Sequence, residues 1–219
     1  MKDIPAIKGK FYIRRLIEEG EHEHQDFKYA ITDARKIARS ISAFANNDGG
    51  RLLVGVKDNG SIVGVPNEED IYMVEHAAEA YCRPAQKVEV DAFIADGGAI
   101  VLRVNIARAA MRPVYCLEEG GKTVAYYRVA DENISAHPLM VRAWELSSTD
   151  TPAGFSFTDD ELGALSLIEQ MQPLTPEQYF RHVRLSRHRA EELLVRLLAL
   201  GSISMKHTSG GFLIVTSAD

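Results

Sequence analysis

The chain has 219 residues, room for one large domain or two small ones at roughly 100–200 residues each. Its 46% hydrophobic and 26% charged content is that of a globular protein and excludes a disordered chain, a collagen or a coiled-coil rod. The net charge of −6 argues against non-specific coating of nucleic acid but leaves room for a local basic face.

No apolar run approaches the ~20 residues of a membrane helix, and no apolar stretch follows the opening MKDIPAIKGK as it would in a signal peptide. The two cysteines, Cys82 and Cys116, form no Cys-x-x-Cys pair. The sequence therefore predicts a reduced, cytoplasmic protein without a membrane partner.

Residues 8–19 carry the period of an amphipathic helix, with Phe11, Ile13, Leu16 and Ile17 as its expected buried side. A short strand is expected over 24–30. A helix follows over 33–46, with Ala34, Ile37, Ala38, Ile41, Phe44 and Ala45 on one stripe. Asn47-Asp48-Gly49-Gly50 stops it. Strands over 52–56 and 62–65 flank Asp58-Asn59-Gly60, a turn sequence that predicts a hairpin. A second helix is expected over 68–82, a hairpin over 88–95 and 99–106, a strand over 123–129 and a closing helix over 138–146. Hairpins alternating with helices make the class α+β, with a mixed or antiparallel sheet.

The stretch 147–156 has no apolar period and reads as a linker between a first domain, 1–146, and a second, 157–219. In the second, Thr158 and Glu161 form a capping-box pattern opening a helix to Met171. Thr175-Pro176-Glu177-Gln178 opens another, to about Val183, with Pro at the first helical position. Ser186 caps a third, whose stripe is Ala190, Leu193, Leu194, Leu197 and Leu198, and Gly201 ends it. Strands over 203–206 and 212–215 then make a small hairpin. Three helices followed by a hairpin is the order of a winged helix-turn-helix.

The blocks Glu21-x4-Asp26-Phe27-Lys28, Ala43-Phe44-Ala45-Asn46-Asn47-Asp48-Gly49-Gly50, Gly55-Val56-Lys57-Asp58-Asn59-Gly60 and Val63-Gly64-Val65 occur in that order. Together they resemble the Schlafen AlbA-type domain, described as DNA-binding or as a divergent AAA-type domain. Arg112-Pro113-Val114-Tyr115 and Ala125-Tyr126-Tyr127-Arg128-Val129 are similar to its later strands, and the resemblance covers about 10–145. Asp26 stands where the family has Glu.

In Schlafen-type ribonucleases three carboxylates act with a metal, and the matching positions are Glu21, Asp26 and Asp58, with Lys28 beside them. Such oxygen ligands suit Mg²⁺ or Mn²⁺. Asn46, Gly49 and Gly50 form a candidate phosphate-contacting turn, set against a plain helix stop. No Gly-x-x-x-x-Gly-Lys-Ser/Thr occurs, so the P-loop mechanism of ATP use is excluded. His22 and His24 alternate as a metal pair would, against the reading of a solvated turn.

The stretch 181–189 holds Arg181, His182, Arg184, Arg187, His188 and Arg189 with no acid. It spans the turn of the helix-turn-helix, where Arg181, Arg184, Ser186, Arg187, His188 and Arg189 are the expected nucleic-acid contacts. Glu191 and Glu192, directly after it, oppose phosphate binding. The leading expectation is a nucleic-acid-binding protein, a transcriptional regulator on DNA, with RNA and a second copy of the chain as further partners. The alternatives are a metal-dependent nuclease and a protein-interaction adaptor.

Overall fold

The computed structural model describes residues 4–148 and 156–217. The chain divides into two compact units, Met1–Ser135 and Ala136–Asp219. Most of the expected linker lies outside the described residues. No helix among the described residues is long and apolar enough to cross a membrane.

In chain order the first unit holds β1 (Ile7–Lys8), α1 (Lys10–Glu19), β2 (Gln25–Lys28), α2 (Ala34–Asn46), β3 (Gly50–Val54), α3 (Glu69–His76), a π-helical turn (Ala77–Tyr81), β4 (Cys82–Arg83), β5 (Val88–Ile94), β6 (Ile100–Ile106), β7 (Tyr115–Leu117), β8 (Thr123–Val129) and β9 (Glu132–Ser135). Five strands form one sheet in the order β1-β5-β6-β3-β2, and four form a second in the order β4-β7-β8-β9. The first sheet is mixed: β2 runs parallel to β3 and β1 parallel to β5, and the other pairs are antiparallel.

Strand alternation assigns the two faces of the first sheet. Leu52 and Val54 of β3 and Leu102, Val104 and Ile106 of β6 join Ile37, Ile41 and Phe44 of α2 in one core. Leu53, Val101, Phe93 and Phe27 join Ile13 and Leu16 of α1 in another, on the opposite face. Val114, Cys82 and Cys116 bring the second sheet into the α2 core. Helix α2 is therefore packed against both sheets, and ten of its thirteen residues are buried.

Polar side chains at the end of α2 fasten the two sheets together. The Asn46 amide donates to Val114 O at 2.9 Å and Tyr126 O at 2.8 Å, and its carbonyl accepts from Val114 N at 2.7 Å. Ser42 Oγ donates to Val114 O at 2.7 Å and accepts from Tyr126 N at 3.1 Å. Asn47 makes the matching pair of bonds with the backbone of Arg128. At Gly49, with φ +81°, a Cβ would stand 2.7 Å from Ile106 O, so only glycine lets this turn approach β6.

Several expectations change. Phe11 is 82% exposed, while Ile13 and Leu16 are buried, because Phe11 lies on the far side of α1 from the sheet. Residues 62–65 form no strand beyond the bridge Val56–Ile62. Both edges of β3 are already taken, by β2 and β6, so no hairpin partner can add. The second helix breaks into α3, the π-helical turn and β4, which leaves Cys82 on a strand.

The second unit holds α4 (Pro138–Ser147), α5 (Asp159–Met171), α6 (Pro176–His182), α7 (Arg187–Ala199), β10 (Ile203–Thr208) and β11 (Gly211–Thr216). Both capping boxes form, at Thr158 and at Thr175. Helix α4, expected to close the first domain, belongs to this unit: Leu139 and Ala143 are buried with Leu193, Leu194 and Leu197 of α7. Its apolar side finds the leucine stripe rather than the first sheet. The hairpin pairs Ile203 through Thr208 with Thr216 through Gly211, and Leu174 exchanges backbone hydrogen bonds with Ile214, tying the α5–α6 connection to β11.

Replacing Asn46 with Ala removes three hydrogen bonds to the backbone of Val114 and Tyr126, a loss expected to cost roughly 2–4 kcal/mol. Urea denaturation measures it, and a loss below about 1 kcal/mol would show that the two sheets do not depend on this side chain.

Candidate functional site

Strand alternation places Phe27 of β2 under α1, and so turns Asp26 and Lys28 to the opposite side. There they line a cleft of about 310 Å³ with Lys36, Arg39 and Ser40 of α2, Tyr126 and Arg128 of β8, Asn133 of β9 and the turn residue Asp131. Four cations and two carboxylates meet in it. The sequence pattern of α2 held a signal for this cleft: Lys36, Arg39 and Ser40 lie at helical spacing opposite its apolar stripe. Tyr126 and Arg128 share one face of β8 by period two. The apolar stripe of α2 by itself does not disclose them, because it marks only the side turned to the core.

Most of these charges are already paired. Lys28 Nζ lies 2.6 Å from Asp26 Oδ2. Arg128, only 1% exposed, reaches Asp26 Oδ1 at 3.7 Å and donates to Asn133 at 3.1 Å, to His22 O at 3.3 Å and to Gln25 O at 3.4 Å. Its guanidinium stands 4.9 Å from the centre of the Phe44 ring. Arg39 makes a two-bond contact with Glu118, which also accepts from the Tyr126 hydroxyl at 2.7 Å. The Glu118 hydrogen bonds raise the Arg39 value, and hydrogen bonding to Arg39 lowers that of Glu118. Burial pushes the Tyr126 hydroxyl up to about 12. Lys36 has no carboxylate partner among the described residues.

Of the three expected carboxylates, two come together. Glu21 lies close enough to Asp26 for the two charges to interact, and it accepts the Phe27 N–H at 2.8 Å, a donor of the sheet's edge strand that no neighbouring strand takes. Burial raises the Glu21 carboxyl above its ordinary value and Asp26 pushes the same way, against the lowering effects of the Phe27 N–H and Lys28. Asp58 does not join them. It sits on the exposed turn closed by Lys57 N to Ser61 O, beyond the end of β3.

Among the described residues no group of three His, Cys, Asp or Glu side chains could hold a metal ion. Asp26 already faces two cations, so these residues do not fit the Mg²⁺ or Mn²⁺ site that the resemblance implies. The rings of His22 and His24 meet edge-on at 6.1 Å, and His24 Nδ1 lies 3.0 Å from Gly49 O. The candidate phosphate turn is a packing joint: Asn46 is buried with its amide engaged, and Gly49 and Gly50 sit against β6 and the Phe44 ring.

In the second unit the predicted contact residues separate. Arg181 and Arg184 are exposed and have no carboxylate partner among the described residues. Arg187 lies 3.5 Å over the Phe180 ring. Ser186 caps α7 by accepting the Arg189 N–H. Arg189 is engaged by Asp160 at 3.1 Å and Glu192 at 3.6 Å, and His188 lies 3.7 Å from Glu192. Glu191 pairs with Arg142 of α4, so both glutamates spend their charge inside the unit.

Glu21 has its value raised on folding, so its ionised form costs stability. That cost is absent below the unfolded value of 4.5 and grows as pH rises through the raised one. Glu21→Gln keeps a carbonyl for the Phe27 N–H. It is expected to raise Tm near neutral pH and to leave it unchanged below pH 4.5. Thermal melts at the two pH values check this, and a lower Tm at neutral pH would contradict it.

No curated protein matches the chain. A crystal structure of the DIP2311 protein from Corynebacterium diphtheriae aligns at 20% identity and TM-score 0.44, over 87% of this chain and 34% of that one. The chain thus spans about a third of that protein's length. The solution structure of the N-terminal domain of a protein described as related to the ATP-dependent DNA helicase RecG, from Nitrosomonas europaea, aligns at 19% identity and TM-score 0.42. That alignment covers 69% of this chain and 99% of that domain. The profile of the family described as Schlafen, AlbA_2 matches residues 21–137, more than half of the chain and the segment that carries β2, α2 and the cleft, and the chain belongs to that family.

Proposed function

We propose that the chain binds nucleic acid, DNA in the first place, and acts as a transcriptional regulator. In this reading the second unit works as a winged helix-turn-helix, and its α6–α7 corner docks on the phosphate backbone. One observation carries it: Arg181 and Arg184 stand exposed and unpaired by carboxylates among the described residues, beside the start of α7. Unpaired arginines release phosphate counterions on binding. The thirteen-residue helix α7 adds the partial positive charge of its N-terminus at the same corner.

The pairing of Glu191 with Arg142 and of Glu192 with Arg189 supports the same reading, because it lowers the repulsion these acids would exert on a duplex. Membership of the Schlafen AlbA_2 family agrees with a nucleic-acid partner. In the first unit the cleft favours binding over cleavage, since its carboxylates face lysine and arginine in place of a third acid.

Reversing Arg181 and Arg184 to Glu is expected to weaken duplex binding at least tenfold. The slope of log affinity against log salt should fall by about one unit per lost phosphate contact. Both residues are exposed, so Tm should hold. Salt-titrated binding to DNA and RNA checks this, and an unchanged affinity and slope would transfer the second unit to a protein-interaction role.

A further inference from the structure

Cys82 and Cys116 take no part in the site described above, yet the fold sets them face to face. The register of β4 and β7 pairs Cys82 directly with Cys116. Directly opposed residues of an antiparallel pair point to the same side of the sheet. Here that side is α2: Cys82 Sγ lies 3.8 Å from Ala38 O and Cys116 Sγ 3.7 Å from Arg35 O, one helical turn apart. Such pairs hold their Cα atoms about 4.5–5.5 Å apart, inside the range of about 4.4–6.8 Å that a disulfide spans. Both residues are fully buried and free.

We propose that Cys82 and Cys116 are a modification site: a cross-strand dithiol that a small-molecule disulfide such as oxidised glutathione converts to a β4–β7 disulfide. The reaction starts from an opened edge. Strand β4 has two residues and lies at the margin of its sheet, so it opens at lower cost than the whole unit. The opened Cys82 thiolate attacks one sulfur of the reagent. One S–S bond breaks, a mixed disulfide forms on Cys82, and the first glutathione leaves and takes a proton. When β4 closes again, the Cys116 thiol gives its proton to water and its sulfur attacks Cys82 Sγ. The second glutathione departs as the thiol. Two protein thiols are oxidised and one reagent disulfide is reduced, with no other reactant.

The position gives the pair consequence for the cleft. Cys116 lies two residues before Glu118, the carboxylate that holds Arg39 and Tyr126. In the closed protein burial pushes both thiols up to about 12, so the oxidation is slow and set by the opening of β4 rather than by collision.

The full chain is incubated in native buffer with oxidised glutathione, freed of reagent and analysed intact and after proteolysis. The expected product has lost two hydrogens, shows no free thiol on unfolding and yields one peptide pair joined through Cys82 and Cys116. Its Tm should rise by roughly 5–15 °C. Cys116→Ser should stop at the mixed disulfide on Cys82, which keeps the test open if the cross-link alters folding. Two free thiols after treatment, with labelling seen only in denaturant, would overturn the proposal. So would glutathione on both cysteines without a cross-link.

Discussion

The amide of Asn46 is the joint on which the first unit depends. A helix packed on one sheet needs only an apolar stripe. A helix packed against two must also satisfy the backbone groups where the second sheet arrives. Asn46 offers a donor pair and an acceptor at one point, which match Val114 N, Val114 O and Tyr126 O. Ser42 one turn earlier and Asn47 one residue later extend the seam. Buried backbone polar groups must be paired, so these small polar side chains inside an apolar stripe are as much part of the core as Phe44.

The seam fixes where charge can go. With β8 held to the end of α2, Tyr126 and Arg128 face the outer turns of the same helix, and β2 presents Asp26 and Lys28 to them. Arg128 is buried, and it is held by Asn133, two backbone carbonyls, Asp26 and the Phe44 ring. A buried cation persists only with such partners. The same partners take up the carboxylate that a metal would require. Glu21 satisfies the edge of β2, and Asp26 balances Lys28 and Arg128.

The second unit spends its charges differently. Its acids are drawn inward by Arg142, Arg189 and Arg196, while Arg181 and Arg184 stay outside those pairs. A stretch that carries two histidines and four arginines thus contributes two freely presented cations, one arginine stacked on Phe180 and one held by Asp160. The apolar side of α4 is covered by α7 for the same reason that α5 and α6 are: the leucine stripe of α7 is wide enough to bury three neighbours.

Local periodicity and capping chemistry settle what each segment becomes, and those were legible in the sequence: the stripe of α2, the capping boxes of α5 and α6, and the hairpin at the end. The ordered blocks around Phe27, Asn46 and Gly55 also disclosed the family. Tertiary structure decided what no local pattern encodes. It denied residues 62–65 a strand, because both edges of β3 were filled. It moved α4 to the second unit, because a helix's apolar face does not name its partner. It set Cys82 opposite Cys116 by strand register. It separated Asp58 from Glu21 and Asp26, and it divided the arginines of 181–189 into paired and unpaired. Each of these depends on contacts between residues distant in sequence, and the strength of a charge or an edge is fixed only when its neighbours are in place.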